Sequence, residues 1–220
     1  MSTRLILIRH ADSWHKVRGV VGGQKGCRGL TDEGRDEAAR LRDRLARLDE
    51  LAGAALYSST LARAVETAAI VSPALGATAP RQHCGLCSYH VSDAVDGMPV
   101  EELRRRHSQP GGGVYRPYEE GVEAWAQLLA RVGAALFEIA IANAGRTALL
   151  VAHSETIEAS LVALGEMPIR RPFDLRIAPT SMSEWLTDDD LVQTGPPTWS
   201  FPRWTLVRLN DAAHLEPPPR

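Results

Sequence analysis

Two stretches of this chain run aliphatic residues up to a titratable imidazole. Residues 4 to 10 read Arg-Leu-Ile-Leu-Ile-Arg-His, and residues 146 to 153 read Arg-Thr-Ala-Leu-Leu-Val-Ala-His, continuing into Ser154 and Glu155. An uncharged imidazole is a nucleophile, and a guanidinium such as that of Arg9 matches phosphoryl oxygens two at a time. Transfer of a phosphoryl group asks for such parts: a neutral imidazole in line with phosphorus, cations on the non-bridging oxygens, and an acid for the leaving oxygen. Ser154 and Glu155 would begin a helix, whose N-terminal amides and dipole favour an anion.

The elements that must position these groups are readable from periodicity. Both aliphatic runs suit strands covered on both faces, and crevices in such sheets open at the strand ends, so His10 and His153 are expected at one sheet edge. Thr31 reads as an N-cap with Asp32 and Glu33 in the first turn, ahead of Ala38, Leu41, Leu45 and Leu48 at helical spacing. A second short strand is predicted over 53–59, a helix from Thr60 containing Arg63, and a further strand over 78–84. The spacing predicts a core helix over Glu119–Ala142, a helix over Glu155–Leu164, and edge strands over Thr180–Leu186 and Arg203–Leu209. Between the first strand and helix lies a glycine-dense loop with the cations Lys16, Arg18, Lys25 and Arg28. The connector 97–118, with its Pro-Gly-Gly-Gly, reads as a flexible loop able to cover the site. Together these give an α/β fold: a three-layer α/β/α sandwich with a mostly parallel central sheet, in one domain over 1–220.

Composition bounds the function. With 220 residues, 44% hydrophobic and 24% charged, the chain can bury a two-sided sheet. A formal net charge of -2 argues against a nucleic-acid partner. The sequence shows no signal peptide and no apolar run of membrane-spanning length, which predicts a cytoplasmic protein with no membrane partner. Three cysteines without an export signal predict reduced thiols rather than a disulfide framework. Apolar residues on the edge strands leave a homodimer open.

The motifs resemble those of the histidine phosphatase superfamily, also called phosphoglycerate mutase-like, over nearly the whole chain. They are Leu-Ile-Arg-His at 7–10, Gly-Leu-Thr-Asp-Glu-Gly at 29–34, Ser-Ser-Thr-Leu-Ala-Arg-Ala-Val-Glu-Thr-Ala at 58–68 and Val-Ala-His-Ser at 151–154. The stretches 180–185 and 204–215 resemble one bacterial branch of that family. The resemblance implies a phosphoglycerate mutase-like fold and a phosphatase of small phosphorylated substrates, without metal or cofactor. It also implies His10 as a nucleophile that forms a phosphohistidine, Arg9 and Arg63 on the phosphate, and His153 helping to hold the transferring group. Through the glycine-rich loop it implies one or two of the four cations in the phosphate pocket, with Lys16 and Arg28 carried forward as substrate-binding candidates.

One departure bears on the chemistry. Where the family carries its general-acid Glu, in Leu-Cys-Glu-x-His, this chain has Ser88, whose hydroxyl cannot donate a proton near neutral pH as a carboxyl can. Asp93, Asp96 and Glu155 are the carboxylates that could stand in; Glu155 is favoured because another branch of the superfamily carries its acid just after the second histidine. The alternative is a catalytically impaired relative that binds a phosphorylated ligand through the same groups, with Ser88 and Ser154 lining the pocket. Ala11 and Ser154 replace glycines that usually follow the two histidines, so slightly crowded pocket walls are expected. His83, Cys84, Cys87 and His90 invite a metal reading, which the sequence disfavours because zinc usually draws on two separated pairs of ligands.

Overall fold

The computed structural model describes residues 2–47, 51–170, 173–192 and 202–216. In chain order the elements are β1 (Thr3–Arg9), α1 (Trp14–Val17), α2 (Asp32–Leu45), β2 (Ala55–Ser58), α3 (Ala62–Val71), β3 (Arg81–Gln82), α4 (Val100–His107), α5 (Trp125–Ala142), β4 (Thr147–Ala152), α6 (Ser154–Ala163), β5 (Met182–Thr187) and β6 (Thr205–Asp211). The strands form one sheet in the order β3-β2-β4-β1-β5-β6. β3, β2, β4 and β1 are parallel, and β5 and β6 run antiparallel on one edge.

The strand side chains sort by parity. Leu5, Leu7, Ala148 and Leu150 face α5 and α6, while Ile6, Ile8, Leu149 and Val151 face α2 and α3. Covering both faces this way explains why the central strands read as unbroken aliphatic runs. Each fully buried Leu or Ile contributes roughly 1.5–3 kcal/mol.

The order of the strands sets the location of the site. From β1 the chain moves toward β2, whereas from β4 it moves the other way to β5, so the connections leaving these adjacent strands diverge. A crevice forms at such a switch point, at the carboxyl ends of the strands. Arg9 pairs with Ala152 in register and His10 N donates to Ala152 O at 2.9 Å, so His10 and His153 each stand one residue past the paired strand ends.

Several expected boundaries shift. Thr31 does cap α2, accepting from Gly34 N at 3.0 Å, and Leu48 lies outside the described residues. The helix expected over Glu119–Ala142 begins only at Trp125, because the preceding segment is engaged elsewhere: Glu120 N donates to His107 O and Glu123 N to His90 O. Gln127 then closes the start by accepting from Ala124 N at 2.8 Å. α5 is apolar and long enough, by length and composition alone, to cross a membrane, contrary to the sequence expectation. One of its faces, with Leu128, Val132, Leu136 and Ile139, is instead buried in the core. The third predicted strand shrinks to Arg81–Gln82, and the edge strands fall at Met182–Thr187 and Thr205–Asp211.

Candidate active site

His10 and His153 meet at the end of β1 and β4, ring centroids 5.0 Å apart, and are 6% and 1% exposed. Their tautomers follow from their partners. His10 Nδ1 lies 2.7 Å from the carbonyl of Ala11, which can only accept, so Nδ1 carries the proton and Nε2 keeps a lone pair. Arg63 Nη2 donates to His153 Nδ1 at 3.2 Å, which leaves the proton on His153 Nε2, 2.8 Å from Ser59 Oγ. Burial, followed by the Arg63 charge, holds both imidazoles well below the usual histidine range, so both are neutral at pH 7.

Arg63 joins the pair. It sits in the first turn of α3, is 3% exposed, and spends all three arms inward: Nε donates to His10 Nε2 at 3.1 Å, Nη1 to Gly22 O at 2.7 Å and Nη2 to His153. Thr67 Oγ1, one turn on, donates to Arg63 O at 2.7 Å and accepts from Ala11 N at 3.2 Å, tying α3 to the end of β1. Arg9 donates through Nη1 to Ile177 O, while its Nε is buried with no hydrogen-bond partner among the described residues. Burial lowers the Arg9 pKa, and Glu155, Glu37 and Asp12, in that order, act to support the cation. A buried donor left open costs about 1–3 kcal/mol, so an anionic oxygen arriving at Arg9 would be stabilising.

A third imidazole completes the crevice. His15 lies with its ring 6.1 Å from that of His10, and burial followed by the Arg63 charge lowers it to about 4. Gly22 allows this approach: a Cβ there would stand 2.4 Å from His15 Cδ2. The sequence carried no signal for His15, since it sits in an aperiodic loop. Ser59 did have one, as the residue that follows β2 at the same sheet edge. Arg131 had another, as the lone cation of α5.

The remaining candidates divide. Glu155 is half-buried in the first turn of α6 and is the foremost negative charge acting on Arg9; Ser154 is the first residue of that helix, and no side chain caps its N-terminus. Lys16 is 58% exposed beside Asp12 at 3.7 Å, Lys25 pairs with Asp93 at 2.8 Å, Arg18 lies over the Trp14 ring and Arg28 is exposed. Thus none of the four loop cations is among the hydrogen-bond partners of His10 or His153 in the described residues. The loop does cradle an anion, but the anion is its own Asp96, whose carboxylate accepts from the amides of Gly23 at 2.9 Å, Lys25 at 2.6 Å and Gly26 at 2.9 Å. Those bonds occupy Asp96, and Asp93 is an 88% exposed surface residue paired with Lys25. Ala11 is fully buried in a small cluster with Leu30 and Ala38.

Ser88 is half-buried in a segment held from α5. Arg131 donates to the carbonyls of Gly85 at 3.0 Å, Cys87 at 3.1 Å and Ser88 at 3.1 Å, and pairs with Glu123 at 2.6 Å. Arg131→Met is expected to lower unfolding free energy by about 1–3 kcal/mol, since it leaves several carbonyls unpaired and the part-buried Glu123 carboxylate with only the His90 amide; denaturant unfolding measures it.

The neutral histidines also predict how stability depends on pH. Below about 6.5 the unfolded imidazoles bind protons that buried His10 and His153 refuse, so the unfolded chain gains protons and stability falls with falling pH. Two such groups give a slope of about 2.7 kcal/mol per pH unit at most below that point, measurable as urea midpoints between pH 7.5 and 5. A double His10→Gln, His153→Gln variant is expected to remove that share and leave the part that His15 and His214, both lowered to about 4, contribute in the same direction.

Two neutral imidazoles, a guanidinium clamping both and a second with an open buried donor thus meet at the strand ends of an α/β sheet. The model of the histidine phosphatase superfamily (branch 1) matches residues 5–194, and the chain belongs to that family. No curated protein matches the chain by sequence. Among solved structures it is similar to a mycobacterial glucosyl-3-phosphoglycerate phosphatase, at 23% identity and TM-score 0.74 over 96% of this chain and 100% of that one. It is also similar to Bacillus stearothermophilus YhfR, at 22% identity and TM-score 0.74 over 97% and 99% of the two chains. A phosphoserine phosphatase from Entamoeba histolytica, bound to 3-phosphoglyceric acid, aligns at 21% identity and TM-score 0.71 over 97% and 99%. At these identities the likeness establishes the fold.

Proposed function

We propose that the protein is a phosphatase of small phosphorylated metabolites that works through a phosphohistidine on His10, with no metal in the chemical step. The observation that carries this reading is the His10 ring itself: buried, neutral, with Nδ1–H fixed on the Ala11 carbonyl and the Nε2 lone pair turned to the guanidinium of Arg63. The names of the solved neighbours, phosphatases of phosphorylated metabolites, support the substrate class.

The phosphoryl oxygens take over donors from Arg63 and fill the open Arg9 Nε, which frees His10 Nε2 to attack phosphorus. The N–P bond forms as the bond from phosphorus to the leaving oxygen breaks. His153 Nδ1 becomes a donor to the phosphoryl group by taking up a proton from solvent as the dianion binds, and gives it back to solvent when phosphate departs. Glu155 is the carboxyl nearest in role to the missing acid and a partial substitute for it: one proton bound together with the substrate passes through Glu155 to the leaving oxygen. Water then attacks phosphorus, the P–N bond breaks, and the water proton passes to the carboxylate as phosphate departs.

The test is phosphate release from a panel of sugar phosphates, phosphorylated hydroxy acids, acyl phosphates and diphosphates, with acid-quenched samples assayed for an acid-labile, base-stable phosphoprotein. Turnover with such an intermediate is the expected result; no turnover on any member would overturn the reading. That outcome favours the second reading, a phosphate-binding relative, for which Ser88 in place of the family's carboxyl is the specific observation.

A further inference from the structure

Beside the crevice, the segment 84–90 gathers a second set of reactive side chains that the phosphatase chemistry does not use. Ligand atoms of Cys84, Cys87 and His90 all lie within 4.8 Å of one another, and Cys84 Sγ is 3.4 Å from His90 Nε2. A tetrahedral zinc ion, with bonds of about 2.3 Å to sulfur and about 2.0–2.1 Å to nitrogen, holds such ligands about 3.5 Å apart. His83, the fourth residue of the sequence cluster, is turned away: its Nδ1 accepts from Gly85 N at 3.0 Å and its Nε2 lies 3.4 Å from Glu138.

The backbone that presents these three side chains is held without any ion. Cys84–Leu86 forms a 3-10 turn, Cys87 N donates back to Cys84 O at 3.0 Å, and Arg131 draws the carbonyls of 84, 85, 87 and 88 together. His90 N is fixed on Glu123 Oε2 at 2.9 Å. An outer partner is also present. Gln24 donates to Thr60 Oγ1 at 2.7 Å, which leaves the Thr60 hydroxyl proton for the Cys87 sulfur, 3.2 Å away. Bonds of this kind orient thiolate ligands and support the charge on sulfur.

We propose that Cys84, Cys87 and His90 bind one soft divalent cation of the zinc type, in a three-ligand site with its fourth position open to solvent. Cys84 and His90 are exposed and Cys87 is buried, so the ion would sit at the surface end of the turn. The objection from sequence, that all ligands fall in one short stretch, applies to closed four-ligand sites; one turn suffices for three. The bound ion would clasp the segment that carries Ser88. Thr60, on its other side, adjoins Ser59, the partner of His153.

The test is titration of the fully reduced native chain with Co2+ and then Zn2+. The expected result is one Co2+ per chain with a sulfur-to-cobalt charge-transfer band and tetrahedral-type visible bands, both displaced by Zn2+. Cys84→Ser and His90→Ala are each expected to weaken binding roughly tenfold or more, whereas His83→Gln keeps the bands. Without any variant, Zn2+ is expected to slow alkylation of Cys84 in the native protein. Absence of the charge-transfer band, unchanged affinity in both ligand variants, or unprotected alkylation would each overturn the proposal. Phosphate release is measured separately, so loss of the metal site and loss of phosphatase activity are distinguishable.

Discussion

His10→Ala is expected to lower kcat for phosphate release roughly 10⁴- to 10⁶-fold, the range seen when a covalent nucleophile is removed, and to abolish the phosphoprotein intermediate. No neighbour is set to replace it. The His153 ring is 5.0 Å away, with its Nε2 held on Ser59, and the His15 ring is 6.1 Å away, so neither stands where the His10 ring stands. Affinity is expected to survive, because the guanidiniums of Arg9 and Arg63 remain and Arg63 Nε loses a competing acceptor. Inorganic phosphate or vanadate should therefore bind His10→Ala within about tenfold of the parent, which separates a missing nucleophile from a collapsed pocket. Turnover above a tenth of the parent rate would sink the phosphohistidine route.

Ser88→Glu is expected to act in the opposite direction. A positioned general acid contributes typically 10²- to 10⁴-fold, so restoring a carboxyl where the family carries its own, with Glu155 only a partial substitute, should raise kcat on alkyl phosphates by up to roughly that factor. The increase should nearly vanish on acyl phosphates and diphosphates, whose leaving oxygens need no proton. The segment is suited to the change, because Arg131 holds the backbone at 84–88 through carbonyls and does not depend on the Ser88 side chain. An equal gain on good and poor leaving groups would show that the new carboxylate acts otherwise than as an acid. No gain on alkyl phosphates would mean that another group, with Glu155 foremost, already supplies the proton.

The pH profile gives an independent view of the same site. Since burial and then Arg63 keep His10 neutral, the nucleophile remains competent well below the ordinary histidine range. Loss of kcat/KM on the acid side should thus begin well under pH 6.5, while structural stability already declines from there.

Much of this molecule was legible in its residues. The aliphatic runs 5–8 and 148–152 could only be strands covered on both faces, and a histidine at each end had to stand at the sheet edge, since register and chain direction follow from local pattern. Arg63 was legible through the family motif, and Thr31 as a cap through the chemistry of helix ends. Local rules failed where the chain reaches its partners over long separations. One or two of the four cations of the glycine loop were expected at the phosphate; the amides of Gly23, Lys25 and Gly26 are spent on Asp96, some seventy residues on, while Lys16 stands beside Asp12, Lys25 pairs with Asp93 and Arg28 is exposed. His15 enters the crevice only because Gly22 leaves room for its ring, and Arg131 grips the Ser88 segment across more than forty residues. A cation or imidazole carries no periodicity that states its partner. Sequence alone therefore determined the core strands, the helices that cover them and the two histidines at the sheet edge, while the tertiary structure decided which charges and imidazoles stand beside those histidines, because hydrogen bonds between distant segments are chosen only when the layers pack.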